Sequence, residues 1–403
     1  MNFFLRYMNV LCVKCKGRNL CGRPYCPIMA KISSQKKVNL GAKQDFFGET
    51  PNIFVGKYGY PNVNVGFLST EEYKDHDAPK KWVKEGVGIQ QVINLRTELV
   101  NSSFRAHIKS FDDRFMQMSQ EVSLAHKPVD VEINLNKKPS FSLSFNQDAM
   151  PHGPRVSVKQ ARITENPKIP HKVEKIVDDD LKAAEAVNLI SKSNFDEHYI
   201  TKVLSLGNLG SESRRKIVPT RWSITAVDDI LGKKMIEDIK NYSSSDYLAY
   251  FGGYLGNYYL VLCFPDVWRY ELFEMLAGQT DSFATDYENY SGRREYAHST
   301  AGGYYAARLG VLEGLKKIRR QASVLCLRFI TNEYWAPLGV WVCRNATRKS
   351  IESKPLEFGS KELMLDYVRK FAQKKFGMNI DPILRQSDLL NEINSQIKLN
   401  HFN

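Results

Sequence analysis

The stretch YLAYFGGYLGNYYLVLCFPDVWRYELF, residues 247–273, decides the fold. It contains three short apolar segments, Tyr247–Phe251, Tyr258–Phe264 and Val267–Phe273, which are separated by turns of Gly, Asn, Pro and Asp. Segments of this length that are rich in aromatic and β-branched residues and bounded by turn formers predict successive strands. Strands that follow one another so closely favour a largely antiparallel sheet.

Helical and strand-like patterns mix on both sides of this stretch, which predicts an α+β fold. Apolar residues at helical spacing predict helices over Asp180–Lys192, Ala226–Lys240, Gly302–Gln321 and Lys361–Phe376. Short alternating or apolar runs predict strands at Val131–Leu135, Phe141–Phe145, Val324–Ile330 and Gly339–Cys343.

Four segments differ in composition along the chain. Residues 1–40 are basic and rich in cysteine, and residues 41–154 are rich in predicted strands up to a joint at Met150–Pro154. Residues 155–380 form the predicted α/β main domain. Gly377–Pro382 then breaks the last helix, so residues 381–403 are predicted to be a flexible tail.

The chain is basic overall, with a net charge of +13 and a pI of about 9.2 over 403 residues. Such a balance suits a polyanionic partner, although a Lys-rich surface without such a partner is the alternative. Residues 1–44 contain Lys and Arg but no Asp or Glu. No apolar run is long enough to cross a membrane and no signal peptide is recognisable, so we expect a cytoplasmic protein without a membrane partner.

Four of the seven cysteines lie close together, at Cys12, Cys15, Cys21 and Cys26. A CxxC pair places two thiolates on one side of a tetrahedral ion, nearby Gly and Pro supply turns, and nearby cations stabilise the thiolates. The cluster therefore predicts a structural zinc module. An iron–sulfur cluster is the alternative metal, and disulfides suit a cytosolic protein only if its host is a hyperthermophile.

The other three cysteines, Cys263, Cys326 and Cys343, stand in apolar segments. A free cysteine in such surroundings behaves as a small hydrophobic residue. We therefore expect all three in the core.

The chain ends in QIKLNHFN, residues 396–403. The spacing of Gln396, Leu399 and Phe402 is typical of peptides that bind the sliding clamp PCNA. Leu399 and Phe402 lie three residues apart, so a single 3₁₀ turn presents both to a hydrophobic cleft. Asn403 stands where a second aromatic residue is usual, which predicts modest affinity. Chance spacing at a frayed helix end is the alternative.

Residues 218–229, VPTRWSITAVDD, combine an Arg–Trp pair with two acidic residues. We predict that Arg221 and Trp222 lie in extended chain just before a helix that Thr225 caps. Asp228 and Asp229 then fall in its first turn and suit the helix dipole. An Arg beside a Trp at such a place can bind phosphate and stack a base. A buried Trp with a structural Arg–Asp pair is the alternative.

Residues 287–308, YENYSGRREYAHSTAGGYYAAR, form a second polar stretch that opens a helix. Ser299 or Thr300 is the predicted cap, and Gly302–Gly303 allow a close approach of backbone to ligand. The candidate ligand or acid–base residues here are Arg293, Glu295, His298 and Arg308. A structural role for the histidine is the alternative.

Three further stretches place polar groups among Gly and Pro without indicating a role. They are residues 54–61, 165–170 and 204–210. Gly207 and Gly210 lack the Lys and Ser/Thr of a phosphate-binding loop. The chain also lacks HExxH, GxSxG and nuclease-type carboxylate spacings, so no reaction is predicted.

Taken together, these segments resemble the archaeal Nre family of DNA-repair proteins over nearly the whole chain. The resemblance is carried by the cysteine cluster, residues 51–66, 215–229, 301–308 and 337–342. It implies a role in repair of DNA damage and a clamp-binding peptide at Gln396, Leu399 and Phe402. It implies zinc at the four clustered cysteines and no particular reaction.

Three hypotheses follow. The leading one is a zinc-carrying repair protein that binds DNA in the nucleoid and is recruited by PCNA. The second is a repair enzyme, either a nuclease or a nucleotide- or base-modifying transferase, that uses residues 219–229 and 287–308. The third is a scaffold that links the clamp to other repair factors without touching DNA.

Overall fold

A computed structural model of the chain describes residues 26, 29–30, 32–33, 43–140, 153–279 and 282–395. The chain divides into two compact units, of which the first extends to Leu231 and the second begins at Gly232. The boundary falls within one long helix. Each unit is built on a sheet of its own.

The first unit contains a closed five-stranded barrel in the order β1-β2-β3-β5-β4. Within the barrel, β3 and β5 pair in parallel and the other neighbours are antiparallel. The strands are β1 (Asp45–Val55), β2 (Asn62–Thr70), β3 (Val100–His107), β4 (Val129–Leu135) and β5 (Arg155–Ile163). The strand that follows the joint predicted at residue 154 thus belongs to this barrel.

Alternation along β4 adds apolar side chains to the inside of the barrel. On β4, Val129, Val131, Ile133 and Leu135 are buried, whereas Glu132 between them is exposed. This period of two is the geometry of a pleated strand with one face in the core. Each such side chain stabilises the fold by about 1.5–3 kcal/mol when it is fully buried.

The helices of this unit include α1 (Pro79–Glu85), α2 (Ile89–Glu98), α3 (Arg114–Leu124), α4 (His171–Asp178), α5 (Ala183–Lys192) and α6 (Glu197–Ser205). α3 follows β3 and begins where Asp113 Oδ1 accepts a hydrogen bond from the Met116 N–H at 3.1 Å. Met116 and Val122 on α3 pack into the barrel core. A five-stranded barrel of this order, with a helix between its third and fourth strands, has the topology of the OB-fold.

The second unit contains a six-stranded sheet in the order β11-β6-β7-β10-β8-β9. β10 and β8 are parallel, and the other neighbours are antiparallel. The strands are β6 (Tyr247–Tyr254), β7 (Asn257–Phe264), β8 (Arg269–Leu276), β9 (Phe283–Glu288), β10 (Ser323–Ile330) and β11 (Leu356–Phe358). The three strands predicted over residues 247–273 are confirmed.

The described part of this unit also contains helices. They are α7 (Thr220–Ile239), which enters from the first unit, α8 (Gly302–Ile318), α9 (Trp341–Ile351), α10 (Lys361–Phe376), α11 (Asp381–Arg385) and α12 (Asp388–Ser395). α9 packs on β6 and β7 and against α8. α10, α11 and α12 share a second apolar core with the sheet, to which Met364, Val368 and Leu389 contribute.

The α+β class and the predominance of antiparallel pairs agree with the sequence analysis. The predicted helix over Lys361–Phe376 is confirmed, and Cys263, Cys326 and Cys343 are buried as expected. The strand predicted at Phe141–Phe145 lies outside the described residues.

Two elements differ from the predictions. Gly339–Cys343 is not a strand, because Trp341–Cys343 begin α9. Residues 381–395 are not a flexible tail but form α11 and α12, on which Leu389 and Leu390 are buried. In each case the apolar run is too short for the sequence to show whether its period is that of a helix or of a strand.

None of the helices in the described part of the chain combines the length and the apolar character that a membrane crossing requires.

Candidate nucleic-acid interface

The start of α7 places Arg221 and Trp222 on the surface of the first unit. The predicted extended chain is wrong here, because the helix begins at Thr220 rather than at Ala226. Thr225 therefore lies within the helix and does not cap it. Arg221 is exposed, and Trp222 keeps 44% of its surface accessible.

Hydrogen bonds fix this helix start against the barrel. The Val55 N–H at the end of β1 donates to Thr220 Oγ1 at 2.9 Å. The Ser205 hydroxyl at the end of α6 donates to the Val218 carbonyl at 2.7 Å. Proline precedes Thr220, and its carbonyl accepts from the Trp222 N–H at 2.8 Å. The Arg–Trp pair is thus held on a rigid support.

Asp228 and Asp229 lie inside α7, Asp228 fully buried and Asp229 half-buried. The prediction that both stand in the first turn is wrong, because the helix starts eight residues before Asp228. The positive end of the helix dipole acts only over the first turn, so it does not reach them.

Trp222 packs against an aromatic residue of the loop between β1 and β2. Its ring centroid lies 5.2 Å from that of Tyr60, with the two planes inclined at 56°. Tyr60 is itself 44% exposed. The alternative of a buried Trp does not hold, because both rings leave part of their surface to solvent.

The β1–β2 loop, residues 56–61, holds a second exposed ring. Tyr58 is 76% exposed, and the Lys57 ammonium lies 5.2 Å from its ring centroid. The Asn62 N–H donates to the Gly59 carbonyl at 2.8 Å and closes the turn. Gly59 has φ +84, and a Cβ there would stand 2.7 Å from the Asn62 carbonyl oxygen. Glycine is therefore the residue that this turn accepts.

Backbone hydrogen bonds join this loop to two other segments. The Ile108 N–H just after β3 donates to the Pro61 carbonyl at 3.1 Å, and the Ile217 N–H donates to the Ile108 carbonyl at 2.8 Å. Residues 56–61, 105–109 and 214–222 therefore lie side by side at one end of the barrel. We call these three ranges together the barrel rim.

The barrel rim is strongly basic. Its three ranges contain seven lysines and arginines and no Asp or Glu. Arg105 and Arg221 are exposed, and Arg105 Nη2 donates to the Asn62 carbonyl at 3.2 Å beside the loop. The rim thus combines exposed aromatic rings with cations, which is the composition of a nucleic-acid surface. The sequence marks residues 54–61 as a polar stretch among Gly and Pro, but no local pattern places them beside Trp222.

The second predicted stretch lies in the other unit, and its arginines are engaged there. Arg293 Nη2 pairs with Asp286 Oδ1 at 3.0 Å, and Nη1 donates to the Tyr287 carbonyl at 2.7 Å. Asp286 Oδ2 accepts from the N–H and hydroxyl of Thr300 at 2.7 and 2.8 Å. These bonds hold the loop before α8 against β9.

Arg308 is only 1% exposed. Its Nη1 donates to Glu288 Oε2 at 2.6 Å, while Glu288 Oε1 accepts from the Trp268 indole N–H at 3.1 Å. Pairing of this kind satisfies charges that burial would otherwise make very costly. The structure places Arg308 in the core of the second unit.

Glu295 and His298 are exposed on the same loop. The ring of His298 lies 5.4 Å from that of Tyr296. The capping prediction is wrong, since Ala301 precedes α8 and no side chain caps it. A Cβ on Gly303 would stand 2.6 Å from Glu274 Oε1, so this glycine allows the approach of a protein carboxylate.

A half-buried ion pair lies beside β1, and no local sequence pattern indicates it. His198 Nε2 on α6 lies 3.1 Å from Asp77 Oδ2, to which Asn52 Nδ2 donates at 2.6 Å. Burial alone would raise the pKa of Asp77, but the charge and hydrogen bond of His198 lower it overall. Burial would lower the pKa of His198, but Asp77 raises it overall. Each group therefore favours the charged form of the other.

Lys202 on α6 belongs to the same region. Its ammonium donates to the Ala125 carbonyl at 2.8 Å, and burial lowers its pKa to about 8 against the opposing charge of Asp77. No local sequence pattern indicates this cluster, because Asp77 and His198 stand far apart in the sequence.

The two terminal predictions fall largely outside the described residues. Cys12, Cys15 and Cys21 lie there, as do Gln396, Leu399 and Phe402. Cys26 is described, is half-buried, and accepts a hydrogen bond from the Ala30 N–H on its backbone carbonyl at 3.0 Å. Zinc and clamp binding remain predictions.

Comparison with known proteins gives matches over most of the chain. A family described as archaeal Nre, N-terminal, matches residues 20–281, and archaeal Nre, C-terminal, matches residues 288–402. No solved structure matches the chain.

Three curated proteins are similar to it. DNA repair protein NreA of Archaeoglobus fulgidus is 37% identical over 88% of this chain and 91% of its own length. DNA repair protein NreA of Haloferax volcanii is 39% identical over 80% of this chain and 81% of its own length. DNA repair protein NreB of Archaeoglobus fulgidus is 35% identical over 92% and 95%.

Proposed function

This chain belongs to the archaeal Nre family, and from that premise we propose that it is a DNA-repair protein that binds DNA through the barrel rim. Its relatives in Archaeoglobus fulgidus and Haloferax volcanii are named DNA repair proteins, which supports the process. The names identify no contact with DNA, so the contact is argued from the surface of this chain.

The charge of the barrel rim carries the proposal of DNA binding. Its seven cations include the exposed Arg105 and Arg221, and its three ranges hold no carboxylate. Cations in such a place neutralise phosphates and release counterions. Arg293 and Arg308 are less suited to this role, because each already pairs with a carboxylate.

A salt titration tests this proposal. The affinity of the full chain for a labelled DNA should fall as salt rises, by about 0.7–0.9 in logarithmic slope for each phosphate contact. Replacing Arg105 and Arg221 together by Ala should weaken binding and lower that slope. Arg162→Ala is the matched control, because Arg162 is an exposed barrel arginine that pairs with Glu132 at 2.6 Å. Equal losses in control and double variant would refute a role for the rim.

Recruitment to PCNA is the second part of the proposal, with Gln396, Leu399 and Phe402 as the contacting residues. It is supported by the spacing of these residues and by the position of the peptide directly after α12, which ends at Ser395. Asn403 in place of a second aromatic suits a modest affinity.

Zinc bound by Cys12, Cys15, Cys21 and Cys26 is the third part. Four thiolate donors with turn residues between them fit tetrahedral zinc, and the surrounding cations offset the charge of the site. Metal analysis of the purified protein tests it, with Cys15→Ser expected to lose the metal and Cys343→Ala, in the core, expected to keep it. Iron with sulfide in place of zinc would support the iron–sulfur alternative.

The enzyme hypothesis remains the alternative function, as a nuclease or a nucleotide- or base-modifying transferase. Among the described residues, no arrangement within 219–229 or 287–308 favours it over a structural role for Arg293 and Arg308. A chain that binds PCNA but no DNA would instead support a scaffold that links the clamp to other repair factors. DNA binding would place the protein in the nucleoid.

A further inference from the structure

We propose that the barrel rim binds single-stranded DNA, with unpaired bases stacked on its exposed aromatic rings and the phosphates bound by its cations. The inference rests on the proposed function and names the form of DNA that the rim binds.

Exposure of the three rings is the first observation. Tyr58 is 76% exposed, and Tyr60 and Trp222 are each 44% exposed. Large aromatic side chains in solvent contribute little to a core, and a cluster of them marks a binding surface. The faces of bases are hidden within a duplex, so such rings can stack only on bases that are unpaired.

The arrangement of the rings is the second observation. Tyr60 and Trp222 touch at 5.2 Å but incline at 56°, so their outer faces point in different directions. Two bases that stack on these faces must splay apart, which a single strand permits and a continuous base stack does not. Both supports are fixed, since Gly59 closes the loop turn and Thr220 ties α7 to β1. Binding therefore requires little further ordering of the loop and the helix start, which keeps its entropic cost low.

Cations interleave with the rings. Lys57 lies 5.2 Å from the centroid of Tyr58, Arg221 precedes Trp222 on the helix, and Arg105 borders the loop. Along a single strand, phosphates and bases alternate in the same way. Single-strand binding sites combine a basic track with aromatic rings, and their stacking is tolerant of sequence.

The place of the rim in the fold agrees with this. It is formed by the β1–β2 loop, the end of β3 and the start of α7, on a barrel of OB-fold topology. Oligonucleotides and oligosaccharides bind this part of such barrels. The positive charge and absence of carboxylates in the rim ranges favour the polyanion.

Fluorescence anisotropy with three labelled oligonucleotides of one sequence tests the inference: single-stranded DNA, duplex DNA and single-stranded RNA. The full chain should bind single-stranded DNA most tightly. Tyr58→Ala and Trp222→Ala should each weaken that binding by about 5- to 140-fold, the loss of one stacked base. Neither substitution should change the affinity for duplex. Circular dichroism of each variant should match that of the native chain.

Tyr290→Ala is the matched control. Tyr290 is 45% exposed with the Lys240 ammonium 4.0 Å from its ring centroid, so it is a similar cation-flanked ring, but in the second unit. It should bind all three nucleic acids like the native chain.

The outcomes separate this inference from the proposed function. Tighter binding to duplex or to RNA, or unchanged single-strand affinity in the Tyr58 and Trp222 variants, would overturn the inference. Duplex binding that depended on Arg105 and Arg221 would still leave the proposed function standing. Binding to none of the DNAs would remove both.

Discussion

Glu271 on β8 accepts a hydrogen bond from the Ser387 hydroxyl at 2.5 Å and another from the Leu389 N–H at 3.1 Å. The carboxyl group thus lies at the N-terminus of α12, where unpaired N–H groups and the helix dipole favour negative charge. Burial nevertheless raises the pKa of Glu271 to about 7. This contact fastens the last described helix to the sheet.

The stability of the second unit should therefore fall as pH rises from about 4.5 to about 7. The folded pKa of Glu271 lies above its ordinary value of 4.5, so the folded chain binds an extra proton in this range. The loss is about 3 kcal/mol at most. Glu271→Gln does not titrate and should flatten the change. Urea unfolding at pH 5 and pH 8 measures it, and an equal slope in Glu271→Gln and native protein would exclude this carboxyl as the cause.

Asp77→Asn should lower the pKa of His198. The Asp77 carboxylate outweighs burial and raises that pKa in the native chain, so its removal leaves burial to lower it. The pair stabilises the fold most between the ordinary pKa values of Asp and His. The histidine part is lost as pH rises through its raised folded pKa, and the aspartate part is lost as pH falls through its lowered folded pKa. Proton NMR titration of the imidazole measures the shift.

Asp196→Asn is the control for that titration, because Asp196 also raises the pKa of His198 but contributes less than Asp77. Its effect should have the same sign and be smaller. An unchanged pKa in Asp77→Asn would mean that the ion pair at 3.1 Å does not govern His198.

Gly59→Ala should cost both stability and DNA affinity. The positive φ alone costs an L-residue about 1–2 kcal/mol, and the new Cβ would stand 3.0 Å from Arg105 Nη2. Gly86→Ala has a similar positive φ but nothing within 4 Å of its Cβ. Urea unfolding should show a loss in both, whereas only Gly59→Ala should weaken DNA binding. Equal DNA affinities in the two variants would show that the β1–β2 loop is not part of the DNA site.

Truncation after Ser395 should abolish binding to PCNA without changing the unfolding midpoint. It removes Gln396, Leu399 and Phe402 but keeps the buried Leu389 on α12. Truncation after Arg385 should instead destabilise the second unit, since it exposes the core under α12. Calorimetric titration of the clamp measures binding.

Phe402→Ala should reproduce the loss of clamp binding, and His401→Ala, beside it but off the anchoring positions, should not. Native affinity of Phe402→Ala for PCNA would mean that this peptide does not bind the clamp.

The sequence predicts the long regular elements well. Strands around Tyr258–Phe264 and the helix at Lys361–Phe376 have clear periods and clear turn residues at their ends. Short apolar runs are ambiguous, and Gly339–Cys343 became the start of α9 because its continuation packs on β6 and β7. The eight residues of α12 are too few to form a helix alone, and Glu271 from a distant strand stabilises its start.

The candidate site was predictable in part. The Arg221–Trp222 pair is a local pattern, a cation next to an aromatic residue, that the sequence shows directly. Tyr60, which contacts Trp222, and Arg105 at the end of β3 stand more than a hundred residues away in the sequence, and the barrel brings them to the same end of the unit. The second stretch shows the opposite error. An arginine such as Arg308 is a common ligand-binding residue, but here it forms an ion pair with Glu288 in the core. Only the tertiary structure shows that pairing.

Tryptophan fluorescence tests the central claim most directly, because Trp222 is 44% exposed while the other four tryptophans of the chain, Trp82, Trp268, Trp335 and Trp341, are no more than 8% exposed. Unlabelled single-stranded DNA should quench the emission of the native protein in a saturable, salt-sensitive manner, and Trp222→Phe should remove the quenching. Quenching that persisted in Trp222→Phe, or DNA binding that left the emission of the native protein unchanged, would contradict a DNA site at the barrel rim.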